Sequence, residues 1–272
     1  MTRNLRLLAA MMFVLGSAPL AAETVVKPFN GTNLDGWKFN GNNENCWNTG
    51  RIVATATTFE LAPMPTAGQG GQGNNQGGRS GRFAPALANM VPIDWNKPNP
   101  FKDVDKEKEV EWNKANPRKG VDIYTEEKFG DCTVKLEFLI TKGSNSGVYL
   151  MGEYEVQIAD SFAKPPRRGL TQGDMGAIYS ATAPSLNASG VPGTWQTYEI
   201  EFVAPKFDAN GNRTAKAKFN KVILNGVLVQ ENVEVEGSTG GGVTGKEHPT
   251  GPLMLQGNHG PVAFRNIEII VP

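Results

Sequence analysis

Two short strands are predicted by the stretch Gly143-Ser-Asn-Ser-Gly-Val-Tyr-Leu-Met-Gly-Glu-Tyr-Glu-Val-Gln-Ile-Ala-Asp160. Within it, Glu155 and Gln157 alternate with Val156 and Ile158, a period of two that places polar and apolar side chains on opposite faces of a strand. Neighbouring carboxylate and amide groups resist burial unless they have partners. We therefore expect the polar face to meet water or a polar ligand, as in a carbohydrate-binding groove.

The rest of the chain also favours strands and turns. Glycine (32) and proline (18) are plentiful, and runs with a helical period are scarce. The dipeptide Asn225-Gly226 between two apolar runs predicts a tight hairpin. Enough strands for two sheets are predicted at 51–60, 132–140, 147–151, 154–159, 177–180, 195–203, 215–224, 227–235, 252–256 and 264–271. The pattern predicts an all-β sandwich.

The first 22 residues have the three parts of a secretory signal peptide. Arg3 and Arg6 precede an apolar run at 7–15, and small residues follow at 18–22. The apolar run is too short for a permanent membrane span. We expect an exported protein, periplasmic or extracellular, whose residues 23–272 form one domain.

Composition bounds the partners of the chain. Lysine plus arginine equals aspartate plus glutamate, 27 each, so the chain lacks the basic field that nucleic acids or anionic membranes require. Cys46 and Cys132 form either one disulfide or two buried free thiols, and the sequence leaves both open. It also leaves the oligomeric state open.

An insertion is predicted at about 62–119. Residues 68–81 form a Gly/Gln/Asn-rich run without an apolar side chain, which cannot bury enough apolar area to offset chain entropy. Residues 85–117 are predicted to fold over one edge of the sandwich or to wall the groove, with a short helix within the charged segment 102–114.

Several phrases together resemble one protein family, the DUF1080 or 3-keto-disaccharide hydrolase domain proteins. They run in order across nearly the whole mature chain: Phe29-Asn-Gly-Thr-Asn-Leu-Asp-Gly-Trp37, Phe129-Gly-Asp-Cys-Thr-Val-Lys-Leu-Glu-Phe138, Asn145-Ser-Gly-Val-Tyr-Leu150, Tyr154-Glu-Val-Gln-Ile-Ala-Asp160, Gly176-Ala-Ile-Tyr179, Gly193-Thr-Trp-Gln-Thr-Tyr198, Leu224-Asn-Gly-Val227 and Leu255-Gln-Gly-Asn-His-Gly-Pro-Val-Ala-Phe-Arg-Asn-Ile267. The resemblance implies a concanavalin A-like jelly-roll sandwich. The predicted insertion lies outside it.

The resemblance also implies a reaction, the cleavage of glycosides whose C3 is already a ketone. A base removes the C2 proton, the leaving group departs from C1, and water adds to the unsaturated sugar. Such a reaction needs a base, an enolate stabiliser and a proton donor. Two alternatives stay open: a non-catalytic carbohydrate-binding module, and a conventional glycosidase with two carboxylates about 5 Å apart.

Three residues are candidates for proton transfer. Glu155 is the first choice for general acid or base. His259, in the loop Gln256-Gly-Asn-His-Gly260, is a candidate acid, base or enolate stabiliser. Asp160 either turns into the groove or caps a turn. Glu153 shares the parity of Glu155, but its position at the strand start predicts ordinary solvent exposure.

Candidate substrate contacts combine amides, hydroxyls, an aromatic ring and a cation: Gln157, Gln256, Tyr149, Tyr179, Trp195 and Arg265. Trp195 is either a stacking surface for a sugar or a buried packing residue. Arg265 pairs with a groove carboxylate or forms a surface ion pair. His248 and His259 lack metal-ligand spacing, so no metal site is predicted. The sequence requires no cofactor, although it is compatible with a divalent metal ion.

Overall fold

In the computed structural model, the described residues are 23–41, 46–62, 85–89, 105, 107–108 and 120–272. The predicted signal peptide and most of the predicted insertion, including nearly all of its predicted helix, lie outside them. Among the described residues, no helix has the length and apolar character needed to cross a membrane.

The described residues form sixteen strands. In chain order these are β1 (Thr24–Val26), β2 (Trp37–Asn40), β3 (Trp47–Ala54), β4 (Phe59–Ala62), β5 (Ala86–Asn89), β6 (Asp122–Phe129), β7 (Cys132–Ile140), β8 (Asn145–Leu150), β9 (Tyr154–Ala159), β10 (Gln196–Val203), β11 (Lys206–Phe207), β12 (Arg213–Ala215), β13 (Ala217–Leu224), β14 (Val227–Val235), β15 (Gly251–Leu255) and β16 (Val262–Val271).

Two antiparallel sheets contain most of these strands. The larger, nine-stranded sheet has the order β14-β13-β10-β7-β16-β5-β3-β4, and β1 also pairs with β16. The smaller, five-stranded sheet has the order β2-β6-β15-β8-β9, and β11 and β12 form a separate two-stranded ribbon. The predicted all-β fold with two sheets is confirmed.

The apolar core lies between the two sheets. Tyr154 of β9 contacts Phe202 of β10 with ring centroids 5.4 Å apart, and Val156 is fully buried in the same core. The Tyr198 hydroxyl on the larger sheet donates to the backbone carbonyl of Gln157 on the smaller sheet at 2.7 Å. Because side chains alternate along a strand, the Gln157 side chain points to the outer face of the smaller sheet.

The strand prediction failed at several places. Residues 86–89, inside the predicted insertion, form β5, which pairs with β16 and β3 and is buried. Alanine is a weak strand former, so the sequence of this segment did not indicate a strand. Strands β1, β2, β6, β11 and β12 were also missed. The predicted strand 177–180 is a turn region in which Ile178 bridges to Val156 and Thr182.

Two local predictions are resolved by the structure. Asn225 and Gly226 have φ of 52° and 80° and form the predicted tight turn between β13 and β14. Cys46 and Cys132 are buried free thiols, which settles the alternative left open by the sequence. Burial raises the pKa of the Cys132 thiol to about 12.

Candidate functional site

The outer face of the smaller sheet carries a buried polar cluster. Strand register pairs Tyr149 of β8 with Glu155 of β9, and Gly147 with Gln157, so all four lie on one face. Tyr149 also pairs with Met254 of β15. The Glu155 side chain is only 3% exposed, because loops cover this face of the sheet. We call Glu155, Tyr149, Gln157, Gln256 and Asp122 the acidic cluster.

A glycine makes room for the carboxyl group of this cluster. The Glu155 carboxyl lies across Gly147, and a Cβ atom at position 147 would overlap its Oε1 and Cδ atoms. Any larger residue at 147 must therefore displace Glu155. The requirement for glycine comes from this close approach rather than from a left-handed backbone.

Hydrogen bonds link Glu155 through Tyr149 to Gln256, the first residue after β15. The Tyr149 hydroxyl is hydrogen-bonded to the Glu155 carboxyl group and accepts from Gln256 Nε2 at 3.1 Å. The buried Oε1 atom of Gln256 has no hydrogen-bond partner among the described residues. A buried acceptor without a donor is costly, so a ligand hydroxyl would be stabilised here.

The electrostatics of the cluster favour a protonated Glu155. Burial raises the pKa of Glu155 to about 8, against the opposing effect of the Tyr149 hydrogen bond, and the negative charge of Asp122 raises it further. Burial and then the charge of Glu155 raise the pKa of Tyr149. Among the described residues, no lysine or arginine forms an ion pair with Glu155. Glu155 can therefore exchange a proton near neutral pH.

Asp122 is a site residue that the sequence analysis missed. It begins β6 and is buried. Its carboxylate accepts from the backbone N–H of Gly257 at 2.9 Å and from Asn258 Nδ2 at 3.3 Å. Its position became visible only through the pairing of β6 with β15. Asp122 therefore places a second carboxylate beside Glu155 and holds the loop after β15.

His259 lies in that loop, at the edge of the acidic cluster. Its ring Nδ1 contacts Asn258 Oδ1, and its backbone carbonyl accepts from the N–H of Asn145 at 3.3 Å. Asn89 of β5 donates to the backbone carbonyls of Gly257 and Gly260. The predicted loop thus connects Asp122 to His259 through Asn258, and strand β5, also missed from sequence, supports it.

Gln157 and Tyr179 flank Glu155. Gln157 is buried on the same face, and its Oε1 accepts from the N–H of Ile158 at 3.1 Å. The N–H of Tyr179 donates to the backbone carbonyl of Glu155 at 3.1 Å. Tyr179 is 39% exposed. Tyr179 therefore stands at the rim of the cluster.

Asp160 braces a turn. Its Oδ2 accepts from the N–H of Gly143 at 2.8 Å, and its own N–H donates to the carbonyl of Ser144 at 3.1 Å. Of the two roles left open from sequence, the contacts correspond to the capping role. The turn that it caps is the one before β8 rather than the one after β9.

Arg265 and Trp195 lie on the outer face of the larger sheet, away from Glu155. Arg265 Nη2 is 2.6 Å from Glu137 Oε2, and its guanidinium carbon lies 4.0 Å from the centroid of the Trp195 ring. We call Arg265, Glu137 and Trp195 the ion-pair cluster. The expectation that Arg265 and Trp195 share a groove with Glu155 is corrected. Arg265 is on β16 and Trp195 immediately precedes β10, and both of these strands belong to the larger sheet.

Glu153 is buried, contrary to the prediction of an exposed charge, with 2% of its surface accessible. Its carboxylate accepts from the N–H and hydroxyl of Thr244, both at 2.7 Å, and from the N–H of Gly245 at 3.0 Å. The glycine-rich loop 237–245 thereby folds back over the sheet, and Gly241 approaches the Tyr149 hydroxyl. Glu153 fastens the cover of the acidic cluster.

No group of three or more His, Cys, Asp or Glu side chains is arranged to hold a metal ion in the part of the chain that the structure describes.

A covered polar cluster therefore lies on the outer face of the smaller sheet of an antiparallel β-sandwich. The model of the 3-keto-alpha-glucoside-1,2-lyase-like domain family matches residues 24–270, and the chain belongs to this family. The family resemblance predicted from the sequence is thus confirmed, and membership supports a carbohydrate-active function.

Solved structures agree with this fold. A crystal structure of a candidate glycosyl hydrolase from Parabacteroides distasonis is 26% identical, with a TM-score of 0.50, covering 93% of this chain and 92% of that one. A second candidate glycosyl hydrolase from the same organism is 15% identical, with a TM-score of 0.50, covering 90% and 92% of the two chains, and it supports the fold alone. A comparison with curated proteins found no match.

Proposed function

We propose that this protein cleaves glycosides that carry a ketone at C3, with Glu155 as the base that removes the C2 proton. The observation that supports the proposal best is the buried Glu155 carboxyl, whose pKa of about 8 comes from burial and whose position is set by Tyr149. A ketone at C3 acidifies the C2–H bond, so a carboxylate in a dry site has sufficient basicity for this step. The family of the chain is consistent with such a substrate.

The proposed reaction has two stages and is a net hydrolysis. In the first, Glu155 takes the C2 proton, the electron pair forms the C2–C3 enolate, and the C1–O bond breaks as the enolate collapses. The departing oxygen gains a proton, leaving a sugar with a C1–C2 double bond. In the second stage water adds its hydroxyl to C1, and C2 regains a proton. One water molecule is consumed, and the protein ends the cycle in its starting protonation state.

The other residues of the site have supporting roles in this proposal. Tyr149 orients the Glu155 carboxyl, and Gln256 fixes Tyr149 through its Nε2 donor. The unpartnered Oε1 of Gln256 is suited to accept a hydrogen bond from a sugar hydroxyl. His259, held at the cluster edge by Asn258, is the proposed proton donor for the leaving oxygen or the enolate stabiliser.

Conventional glycoside hydrolysis is the second candidate, because Asp122 places a second buried carboxylate beside Glu155. In that reaction one carboxyl group protonates the glycosidic oxygen and the other acts at the anomeric carbon. The contacts of Asp122 with Gly257 and Asn258 favour a structural role for it instead. The predicted signal peptide supports a proposal that either reaction takes place outside the cytoplasm.

One assay separates the candidates. The mature protein is incubated with an ordinary disaccharide and, in parallel, with the same disaccharide oxidised at C3, and the release of each monosaccharide is followed. Turnover of only the oxidised substrate is expected. Turnover of the unoxidised sugar would favour the conventional glycosidase, and binding of either sugar without turnover would favour a carbohydrate-binding module.

A further inference from the structure

An open pocket lies next to the acidic cluster. It is lined by the segments 170–173 and 179–183, and its volume is about 690 Å³, within the range of roughly 300–1,000 Å³ that is usual for small-molecule sites. Tyr179 belongs to its lining and is hydrogen-bonded through its N–H to the Glu155 carbonyl. Tyr179 therefore connects the pocket to strand β9, which carries the proposed base.

The lining groups match a neutral, hydroxyl-rich ligand. They include the hydroxyls of Thr171, Ser180 and Thr182, the amide of Gln172 and the half-exposed ring of Tyr179. Among the described residues that line this pocket, none carries a charged side chain. Hydroxyls and amides both donate and accept hydrogen bonds, and an aromatic ring packs on the apolar face of a sugar. An anionic ligand such as a phosphate would find no countercharge in the lining.

The pocket walls are held by internal contacts. Gln172 Nε2 donates to the carbonyl of Ala181 at 3.1 Å, which joins the two lining segments. Ile178 and Thr182 exchange two backbone hydrogen bonds of 3.0 Å, and buried Asp174 accepts from the N–H of Thr171 at 2.7 Å. The pocket is thus formed before a ligand arrives, which limits the entropy lost on binding.

We propose that this pocket is the subsite for the leaving group, and that it selects glycosides whose leaving group is a second sugar or another neutral polyhydroxylated alcohol. The assignment rests on the proposed function. The acidic cluster is closed to water, as a site for proton abstraction requires, whereas the pocket opens to solvent. A leaving group must depart before water can add, and an open subsite permits that.

The test uses two substrates with the same 3-keto-glucosyl unit: a 3-keto-disaccharide, and the methyl glycoside, which cannot fill the pocket. The variants are Gln172→Ala and Thr182→Val, with Asn210→Ala in the distant β11–β12 turn as the control. Both pocket variants are expected to lower kcat/KM for the disaccharide about fivefold to tenfold, and to change kcat/KM for the methyl glycoside less than about twofold. Thermal melting checks that each variant is folded.

The outcomes separate the two proposals. A loss restricted to the disaccharide supports the subsite. An equal loss on both substrates, or no loss on either, would overturn the subsite while leaving the proposed function standing. If the unchanged protein turns over neither 3-keto substrate, the proposed function is contradicted and the subsite with it. Inhibition by the leaving-group sugar gives a second measurement, which does not depend on the reactivity of the leaving group. This inhibition should be weaker in Gln172→Ala than in the parent protein.

Discussion

The outer faces of the two sheets give their glutamate side chains opposite electrostatic environments. On the smaller sheet, Glu155 is buried beside Tyr149 and Asp122, and burial raises its pKa to about 8. On the larger sheet, Glu137 is held by Arg265 at 2.6 Å. Nearby Glu199 lies between Lys221 and Lys135, and hydrogen bonding to Lys221 lowers its pKa.

The two environments differ in solvent exposure and in the presence of a neighbouring cation. Loop 237–245 and the turns around Tyr179 exclude water from the smaller sheet, whereas the larger sheet presents lysine and glutamate pairs to solvent. An adjacent cation favours the ionised form of a glutamate, while a covered glutamate without a cation can take up and release a proton near neutral pH. We therefore propose that the acidic cluster is the reactive face and that the ion-pair cluster is scaffold.

The largest expected effect comes from exchanging the carboxyl group on each face. Glu155→Gln should lower kcat on a 3-keto-disaccharide by at least about 10³-fold, because the base is removed and the shape is kept. Glu137→Gln is the matched control and should retain kcat within about threefold. Comparable losses in the two variants, measured by release of the 3-keto sugar, would remove the distinction between the faces.

Gly147→Ala should have the next largest effect. The new methyl group must displace the Glu155 carboxyl, so we expect kcat/KM to fall about 10²-fold and stability to drop by about 1–3 kcal/mol. Gly130→Ala, in the turn between β6 and β7, is the control, since a Cβ there meets no atom closer than 3.6 Å. Steady-state kinetics and denaturant unfolding provide the two readouts, and full activity in Gly147→Ala would contradict the placement of Glu155.

Tyr149→Phe should reduce kcat/KM about 10-fold to 100-fold and change its pH dependence. The hydrogen bond from Tyr149 lowers the pKa of Glu155, so its loss should move that pKa to a higher value. For a base, kcat/KM of the parent rises with pH through about 8, and the rise in the variant should occur at higher pH. A falling limb at that pH instead would assign Glu155 as an acid.

The raised pKa also predicts a pH-dependent stability. The folded-state pKa of Glu155, about 8, exceeds its ordinary value of 4.5, so between these values the folded protein binds more protons than the unfolded chain. Stability from this group is therefore lost as pH rises from about 4.5 to 8, by on the order of 3–5 kcal/mol at most. Urea unfolding at pH 5, 7 and 9 should show Glu155→Gln gaining on the parent as pH rises. A pH-independent difference would contradict the raised pKa.

The smallest effect is expected at Arg265. Arg265→Lys loses the stacking of the guanidinium on the Trp195 ring and the two hydrogen bonds from Nε and Nη2 to Glu137 Oε2. The free energy of unfolding should fall by about 1 kcal/mol. The kcat value should stay within about twofold, because the ion-pair cluster lies on the other sheet. Thermal melting and kinetics measured on one preparation test both statements. A large loss of kcat would indicate that the outer face of the larger sheet takes part in the reaction.

The sequence predicted the parts of the molecule that depend on local pattern. Alternation along 154–159 placed Glu155 and Gln157 correctly on one face, and Asn225-Gly226 identified its turn. The pattern could not show Asp122, because β6 contains the run Thr125-Glu-Glu-Lys128, which does not alternate. The role of Asp122 comes from the pairing of β6 with β15. It also could not separate Arg265 from Glu155, since the assignment of strands to sheets is a long-range property.

Deuterium incorporation at C2 tests the central claim most directly. A 3-keto-disaccharide is cleaved in D₂O, and the released 3-keto sugar is analysed by NMR at early times, with the same sugar incubated without enzyme as the control for spontaneous exchange. The proposal predicts deuterium at C2 of the product from the parent protein and none above the control with Glu155→Gln. Product that forms at the full rate with only hydrogen at C2, and without a slower rate when the substrate carries deuterium at C2, would contradict proton abstraction by Glu155.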